Sequence, residues 1–326
     1  MTRAEAIEEF KERHGKKKEE LANEFISGIE TGVNELMEQI LGAFGEIADQ
    51  AEETDKSMCV FFLFSLLRYD LMQDTAKIRL DVMDASWFLD KEPLYAEFDL
   101  TFLFAPYFKW RADMLTDMRE YMGKVNKYDV EHMVQQEIMA AVRRMTQILR
   151  FLFRSIESQE NFARIPKGMF WEIRFGEYRD YNELIMQMNR EPRSKESWLD
   201  KLRNDGGNEE DSGKLQFSWW YEMELTFGNC QGKDLDFIVF ERCTLKDIDF
   251  GDAQMSGARF LNCKLERCSF KQANLTQAEF ENCEFTDCDF TEAGLQQAVF
   301  SMEGLQAEWF DDKQKEEMLI VEEVEA

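Results

Sequence analysis

The stretch ERCTLKDIDF GDAQMSGARF LNCKLERCSF KQANLTQAEF ENCEFTDCDF, residues 241–290, keeps one rhythm throughout. A large apolar residue falls at every fifth position, from Leu235 and Phe240 through Leu245, Phe250, Met255, Phe260, Leu265, Phe270, Leu275, Phe280, Phe285, Phe290, Leu295, Phe300 and Leu305 to Phe310. Two residues before each, through the middle of the run, sits a small one: Cys243, Ala253, Ala258, Cys263, Cys268, Ala273, Ala278, Cys283, Cys288, Ala293 and Ala298. A helix repeats at 3.6 residues and a strand at 2.0, so neither element accounts for a period of five. The chain must turn once per period, and four short faces then close a square coil of about twenty residues per turn.

The segments ANLTQ at 273–277 and CDFTE at 288–292 show the order small residue, Asp or Asn, Leu or Phe, then two variable positions. On these residues the run from about 223 to 310 resembles the pentapeptide-repeat family. The resemblance implies a right-handed quadrilateral β-helix of about four coils. Residues twenty apart are then expected to stack at the strand spacing of ~4.8 Å. Phe240, Phe260, Phe280 and Phe300 form one predicted aromatic ladder, and Phe250, Phe270, Phe290 and Phe310 another. Cys243, Cys263 and Cys283 make a small-residue column of the narrow shaft, with Cys268 and Cys288 in the next. Outward positions place opposite charges one turn apart: Lys246 over Glu266, Arg259 over Glu279, Lys264 over Glu284, and Arg267 between Asp247 and Asp287. Asn262 and Asn282 make a short amide ladder.

The rest of the 326 residues shows no such repeat. Residues 2–50 read as helical with a break at Gly15, and the apolar run Met58–Met72 reads as a buried helix. Alternation in Ile78–Val82 and Leu94–Phe102 predicts two strands, and Phe170–Phe175 a third. Helices are expected at 107–122, 129–157, 180–189 and 195–203. The fold class is thus an α+β N-terminal domain, mainly helical with a few strands, over 1–214. The β-helix follows over 215–312, and then an acidic tail over 313–326. The glycine-rich polar stretch 204–214 reads as the linker. Phe217, Trp219 and Trp220, together with the N-terminal domain, are expected to close one end of the coil. The apolar tetrad Met318–Val321 reads as either a cap on the other end or a homodimer contact.

Composition narrows the function. With 39 Lys and Arg against 66 Asp and Glu the formal net charge is −27, which disfavours direct binding to nucleic acid or to an anionic membrane. The charged first twenty residues show no secretory leader, and seven cysteines fit reduced thiols of a cytoplasmic protein. No apolar run approaches the ~20 residues needed to span a bilayer. The two histidines, His14 and His132, read as surface residues, which leaves no nucleophile–histidine arrangement. The cysteines recur as C-x4-C, unlike zinc sites, and no phosphate-cradling glycine motif is present, so no metal, cofactor or catalytic residue is expected.

The one sizeable basic patch, Arg143, Arg144, Arg150 and Arg154, is a candidate anion or acidic-partner site, with internal ion pairing the favoured reading. Asp81, Asp84, Asp90 and Asp99 mark where an unrecognised carboxylate enzyme would be sought. The leading expectation is a non-enzymatic scaffold that presents a rigid acidic coil to an unidentified protein partner. The family resemblance implies an alternative, a DNA mimic that binds type II topoisomerases. Against it, residues 223–310 carry 16 acidic and 7 basic side chains, and the basic ones interrupt the acidic columns.

Overall fold

The computed structural model describes residues 1–204, 215–301 and 305–321. It divides into two compact units, Met1–Met186 and Gln187–Ala326.

The first unit opens with helices α1 (Arg3–Gly15), α2 (Lys18–Thr31) and α3 (Val33–Glu53). Strand β1 (Cys59–Leu66), the short helix α4 (Arg68–Leu71), β2 (Lys77–Met83) and β3 (Leu94–Asp99) follow. Then come α5 (Thr101–Asp117), α6 (Lys127–Leu152), α7 (Glu160–Arg164), β4 (Lys167–Glu177) and β5 (Asn182–Asn189). The strands form one mixed sheet in the order β3-β2-β1-β4-β5, with β1 antiparallel to β2 and parallel to β4. Phe44 of α3 meets the rings of Phe62, Phe64, Phe153 and Phe162, which fastens helix to sheet. Three expectations are corrected here. Met58–Met72 is a strand followed by one helical turn. Its CVFFLFSL run is apolar on both sides because β1 is the central strand, buried on both faces, and such a run looks the same in a buried helix. Residues 182–189 extend the sheet as β5, where β4 supplies partners that local propensity does not register. The strand read over 94–102 ends at Asp99, whose carboxylate accepts the Thr101 N–H (2.7 Å) as α5 begins, six residues earlier than expected.

In the second unit, α8 (Lys195–Asn204) precedes the coil. One face stacks β6 (Trp219–Tyr221), β8 (Val239–Glu241), β10 (Arg259–Leu261), β12 (Glu279–Glu281) and β14 (Val299–Ser301). The next face stacks β7 (Glu224–Thr226), β9 (Thr244–Lys246), β11 (Lys264–Glu266) and β13 (Glu284–Thr286). All pairs are parallel and in twenty-residue register, Phe260 opposite Phe240 and Phe280, Leu265 opposite Leu245 and Phe285. The remaining two faces are turns joined by single bridges such as Asp249↔Ser269 and Asn274↔Gly294. The difference follows from the residue before the large apolar one. Asn229, Asp234, Asp249, Asn274 and Asp289 each accept the N–H two residues on, which favours a turn over a strand.

Among the described residues, each corner from Phe217 to Gln297 lies two residues past the large apolar position and is left-handed, for example Arg242, Asp247, Asp252, Asn262 and Arg267 with φ between 51° and 54°. Asn, Asp and Gly adopt this region most readily, yet the first turns place Phe217, Phe227 and Phe237 there as well. The coil makes about five turns, not four. Trp219 and Trp220 belong to its first strand, Trp220 standing in register with Phe240. The end is closed by α8, which lies within the residues 1–214 that were expected to help cover it, and there Trp198 meets Trp220 (5.0 Å between centroids) and Phe240 (5.8 Å) edge-on. The compact units divide at Met186/Gln187, whereas the sequence reading sets its boundary at 214/215; the expected linker, past Asn204, lies outside the described residues. At the far end α9 (Asp312–Glu317) leads into β15 (Leu319–Val321), which pairs with β14 and extends the first face to six strands.

Candidate functional site

The coil's interior is built from the expected ladders. Phe240, Phe260, Phe280 and Phe300 stack at 5.2, 4.6 and 4.6 Å between successive centroids. Phe250, Phe270 and Phe290 stack at 5.0 and 4.9 Å, and Phe310 continues the series tilted by 36°. The two stacks meet edge-to-face across the shaft, as at Phe270–Phe280 (5.8 Å, 90°), the arrangement aromatic quadrupoles favour. The thiols of Cys243, Cys263 and Cys283 donate to the carbonyls of Trp220, Phe240 and Phe260, each at 3.2 Å. Burial pushes the Cys243 thiol up to about 12 and raises that of Cys263 as well. These residues form a packed interior whose role is to hold the outer surface rigid.

On the outside the opposite-charge ladders form where sequence places them. Lys246 reaches Glu266 at 2.9 Å, Arg259 reaches Glu279 at 2.6 Å, Lys264 reaches Glu284 at 2.9 Å and Arg267 reaches Asp247 at 2.6 Å. Asn282 donates to Asn262 at 3.4 Å. Solvent screening leaves each such pair worth little by itself, so their effect is on register more than on stability. They engage four of the basic residues of the middle turns. From Gln272 to Asp312 the chain has no lysine or arginine at all. Glu281, Asp287, Asp289 and Glu292 are exposed on the last turns, where the nearest basic residues are Arg267 beside Asp287 and Lys271 beside Asp289, one turn back. A neutral patch beside it is tied by amide and hydroxyl bonds, Asn274 to Gln254 (3.1 Å), Thr276 to Gln296 (3.2 Å) and Gln277 to Gln297 (2.9 Å).

Both ends of the coil are held by residues that the repeat does not announce. Glu241 accepts from Arg190 Nε (2.8 Å) and Trp219 Nε1 (3.0 Å), and Gln187 donates to the Phe217 carbonyl (2.9 Å). At the other end the buried Gln314 amide donates to the carbonyls of Phe290 (2.8 Å) and Ala293 (2.9 Å). The signal for Gln314 was in the sequence: Asp311 and Gln314 form a reciprocal capping box on α9, which aims the amide at the shaft. The tetrad Met318–Val321 is thereby split. Met318 is buried, and the next three residues form β15.

In the first unit the arginines of α6 and the turn after it have different surroundings, although Arg143 and Arg150 both lie near Tyr181. Arg150 is buried, donating to the Leu184 carbonyl (2.9 Å) and to Gln147 (2.6 Å), with Glu183 at 3.5 Å. Arg154 lies over the Phe151 ring at 4.8 Å, Arg143 is exposed and Arg144 is half-buried. Of the acidic residues, only Asp84 and Asp90 are brought together. Asp81 bonds Arg79 (2.9 Å), and burial still raises its carboxyl. Asp99 caps α5. Asp84 and Asp90 border a recess of about 740 Å³ with Lys56. Burial alone would raise Asp90, but Lys56 (2.7 Å) and the N–H groups of Asp84 (2.8 Å) and Glu92 (2.9 Å) bring it below the ordinary carboxylate value. That makes it a loop anchor.

His14 is a further correction: it is buried, its ring 4.5 Å from that of Phe10, because α1 docks through that face. His132 is exposed. Among the described residues, no group of three or more His, Cys, Asp or Glu side chains is arranged to hold a metal ion. No helix among them is long and apolar enough to cross a membrane.

Residues 233–310 match the family described as Pentapeptide repeat region. No curated protein matches the chain. Among solved structures, similarity is found to a pentapeptide repeat protein of the Arabidopsis thaliana thylakoid lumen, at 24% identity and TM-score 0.25, covering 29% of this chain and 62% of that one. HetL, a pentapeptide repeat protein involved in heterocyst differentiation regulation in the cyanobacterium Nostoc, matches at 23% identity and TM-score 0.17, covering 31% and 43%. QnrB1, a plasmid-mediated fluoroquinolone resistance protein, matches at 13% identity and TM-score 0.19, covering 28% and 67%. This chain thus spans less than two thirds of the first two. The five-residue register, the square stacking and the family match together make the C-terminal unit a pentapeptide-repeat β-helix, while the N-terminal unit has no recognised family.

Proposed function

We propose that the protein is a non-enzymatic interaction or scaffold protein of the cytoplasm, and that the acidic surface of its coil docks a protein partner. The observation that carries this reading is the contrast between a shaft locked by stacked rings and an outer surface whose last turns bear Glu281, Asp287, Asp289 and Glu292 with no basic residue from 272 to 312. A rigid surface binds without ordering cost, and fixed like charges select an oppositely charged partner. In the first unit, Arg150, Arg154, Asp81 and Asp90 among the residues singled out in sequence are engaged in structural bonds and ring contacts, which fits a structural role for them.

The test is affinity purification from the host with the full chain and with a Glu281→Gln, Asp287→Asn, Glu292→Gln triple variant. A partner retained by the first and lost by the second is the expected result. The same partners on both chains would reject the acidic surface, and turnover of any common substrate class by the purified protein would reject the non-enzymatic reading.

The acidic last turns also bear on a second reading, a DNA mimic directed at type II topoisomerases. The charge ladders interrupt its acidic columns, and five turns at ~4.8 Å span only about 20 to 25 Å, some seven base pairs. Inhibition of gyrase supercoiling at micromolar protein would favour it over the scaffold reading.

A further inference from the structure

The two ends of the coil are finished differently. At the first, the terminal strand β6 is covered, with Trp219 and Trp220 buried and Trp198 of α8 packed edge-on against Trp220. At the second, β15 pairs with β14 on one side only, Leu319 to Val299, Phe300 to Ile320 and Ser301 to Val321. Its side chains are left in solvent: Leu319 is 56% exposed, Ile320 51% and Val321 46%. Leu319 N–H donates inward to the Ala298 carbonyl at 2.7 Å. Successive residues of a strand alternate their hydrogen-bonding side, so the N–H and C=O of Ile320 face away from β14. An apolar strand with an open edge is a template for one more strand.

Charge selects the occupant. The segment leading to this edge, residues 305–318, carries Glu308, Asp311, Asp312, Glu316 and Glu317 against Lys313 and Lys315, with Lys313 3.5 Å from Glu317, so the approach to the edge is net acidic. A second copy of this chain would bring the same acidic rim against itself.

We propose that the open edge of β15 is a strand-pairing site for an extended partner segment whose apolar residues are flanked by lysine or arginine. This deepens the interaction reading above and rests on it. Main-chain bonds to Ile320 supply the pairing, Leu319 and Val321 supply apolar contact, and the acidic rim sets the preference for basic flanks.

The probes are two capped, fluorescein-labelled peptides, KKVTVTVKK and EEVTVTVEE, titrated onto the full chain and onto Ile320→Pro, which removes the outward donor and leaves the Leu319 bond to Ala298. The basic peptide is expected to bind roughly tenfold more tightly than the acidic one, and roughly tenfold less tightly to Ile320→Pro. Leu319→Asp with Val321→Asp, which keeps the backbone, is expected to weaken it comparably. Melting curves of the variants that match the parent's show that the coil itself is intact. Equal binding of both peptides overturns the proposal, as does binding unaffected by Ile320→Pro. Light scattering that shows a dimer in the parent and a monomer in Ile320→Pro overturns it in favour of a second copy. If neither peptide binds while the triple variant still loses its partner, the strand site falls and the interaction reading stands.

Discussion

The rings of Phe260 and Phe280 lie parallel, with 4.6 Å between centroids and 5° between planes, although one full turn of chain separates them. Phe280 also meets Phe300 face-on at 4.6 Å, and Phe270 and Phe290 edge-on at 5.8 and 6.0 Å. Phe280→Ala therefore empties the middle of the shaft and is expected to destabilise the coil by about 3 to 5 kcal/mol. Urea unfolding followed by far-ultraviolet circular dichroism reads this directly. A loss under about 1 kcal/mol would mean that the shaft collapses around the gap.

Gln314 closes the coil with two amide bonds to main-chain carbonyls. Gln314→Ala leaves the carbonyls of Phe290 and Ala293 without those partners and is expected to cost about 1 to 3 kcal/mol, felt mostly at that end. Hydrogen exchange should quicken in β14 and β15 and stay unchanged in β8 and β10. Uniform quickening along the coil would show that the turns unfold as one block instead of fraying.

All seven cysteines are buried, and for Cys59 and Cys243 burial pushes the thiols up to about 11 and about 12. The thiolate is the reactive form, so the native protein at neutral pH is expected to give almost no colour with Ellman's reagent and to release all its thiols in denaturant. Prompt labelling of Cys268 or Cys288 in the native state would show that the last turns open.

His14 sits buried beside Phe10, with Asp117 3.5 Å from its Nε2 and Arg13 and Lys17 nearby. Burial lowers its pKa below the ordinary 6.5; Asp117 pulls the other way, Arg13 and Lys17 act with burial, and Asp113 opposes it least. The unfolded chain therefore binds the proton more readily. The stability that the neutral ring contributes is present above about pH 6.5 and is lost as pH falls through the lower folded value. Thermal melting of the parent should drop as pH falls below about 6.5, and His14→Gln should flatten that slope. An unchanged slope would mean that Asp117 compensates the charged ring fully.

The coil was legible because a five-residue period forces each side chain to meet its own kind one turn later, and the charge ladders Lys264–Glu284 and Arg267–Asp247 stand where counting by twenty places them. The first unit was less legible at particular places. Met58–Leu66 is apolar on both sides, so it lacks the alternation that separates strand from helix, and residues 182–189 become a strand only because β4 lies beside them. The last turns' acidic surface was visible as a net charge, but the arginines and lysines of the middle turns first had to be assigned to their partners.

Sequence by itself thus determined the square shaft, its two phenylalanine stacks and the pairing of its outer charges, since these follow from spacing alone. Tertiary structure decided how the coil ends: α8 with Trp198 folds back over one mouth, Gln314 fills the other, and β15 is left with an edge open. Spacing repeats a local rule indefinitely, whereas an end is set by segments that break the rule and find their place only through contacts distant in sequence.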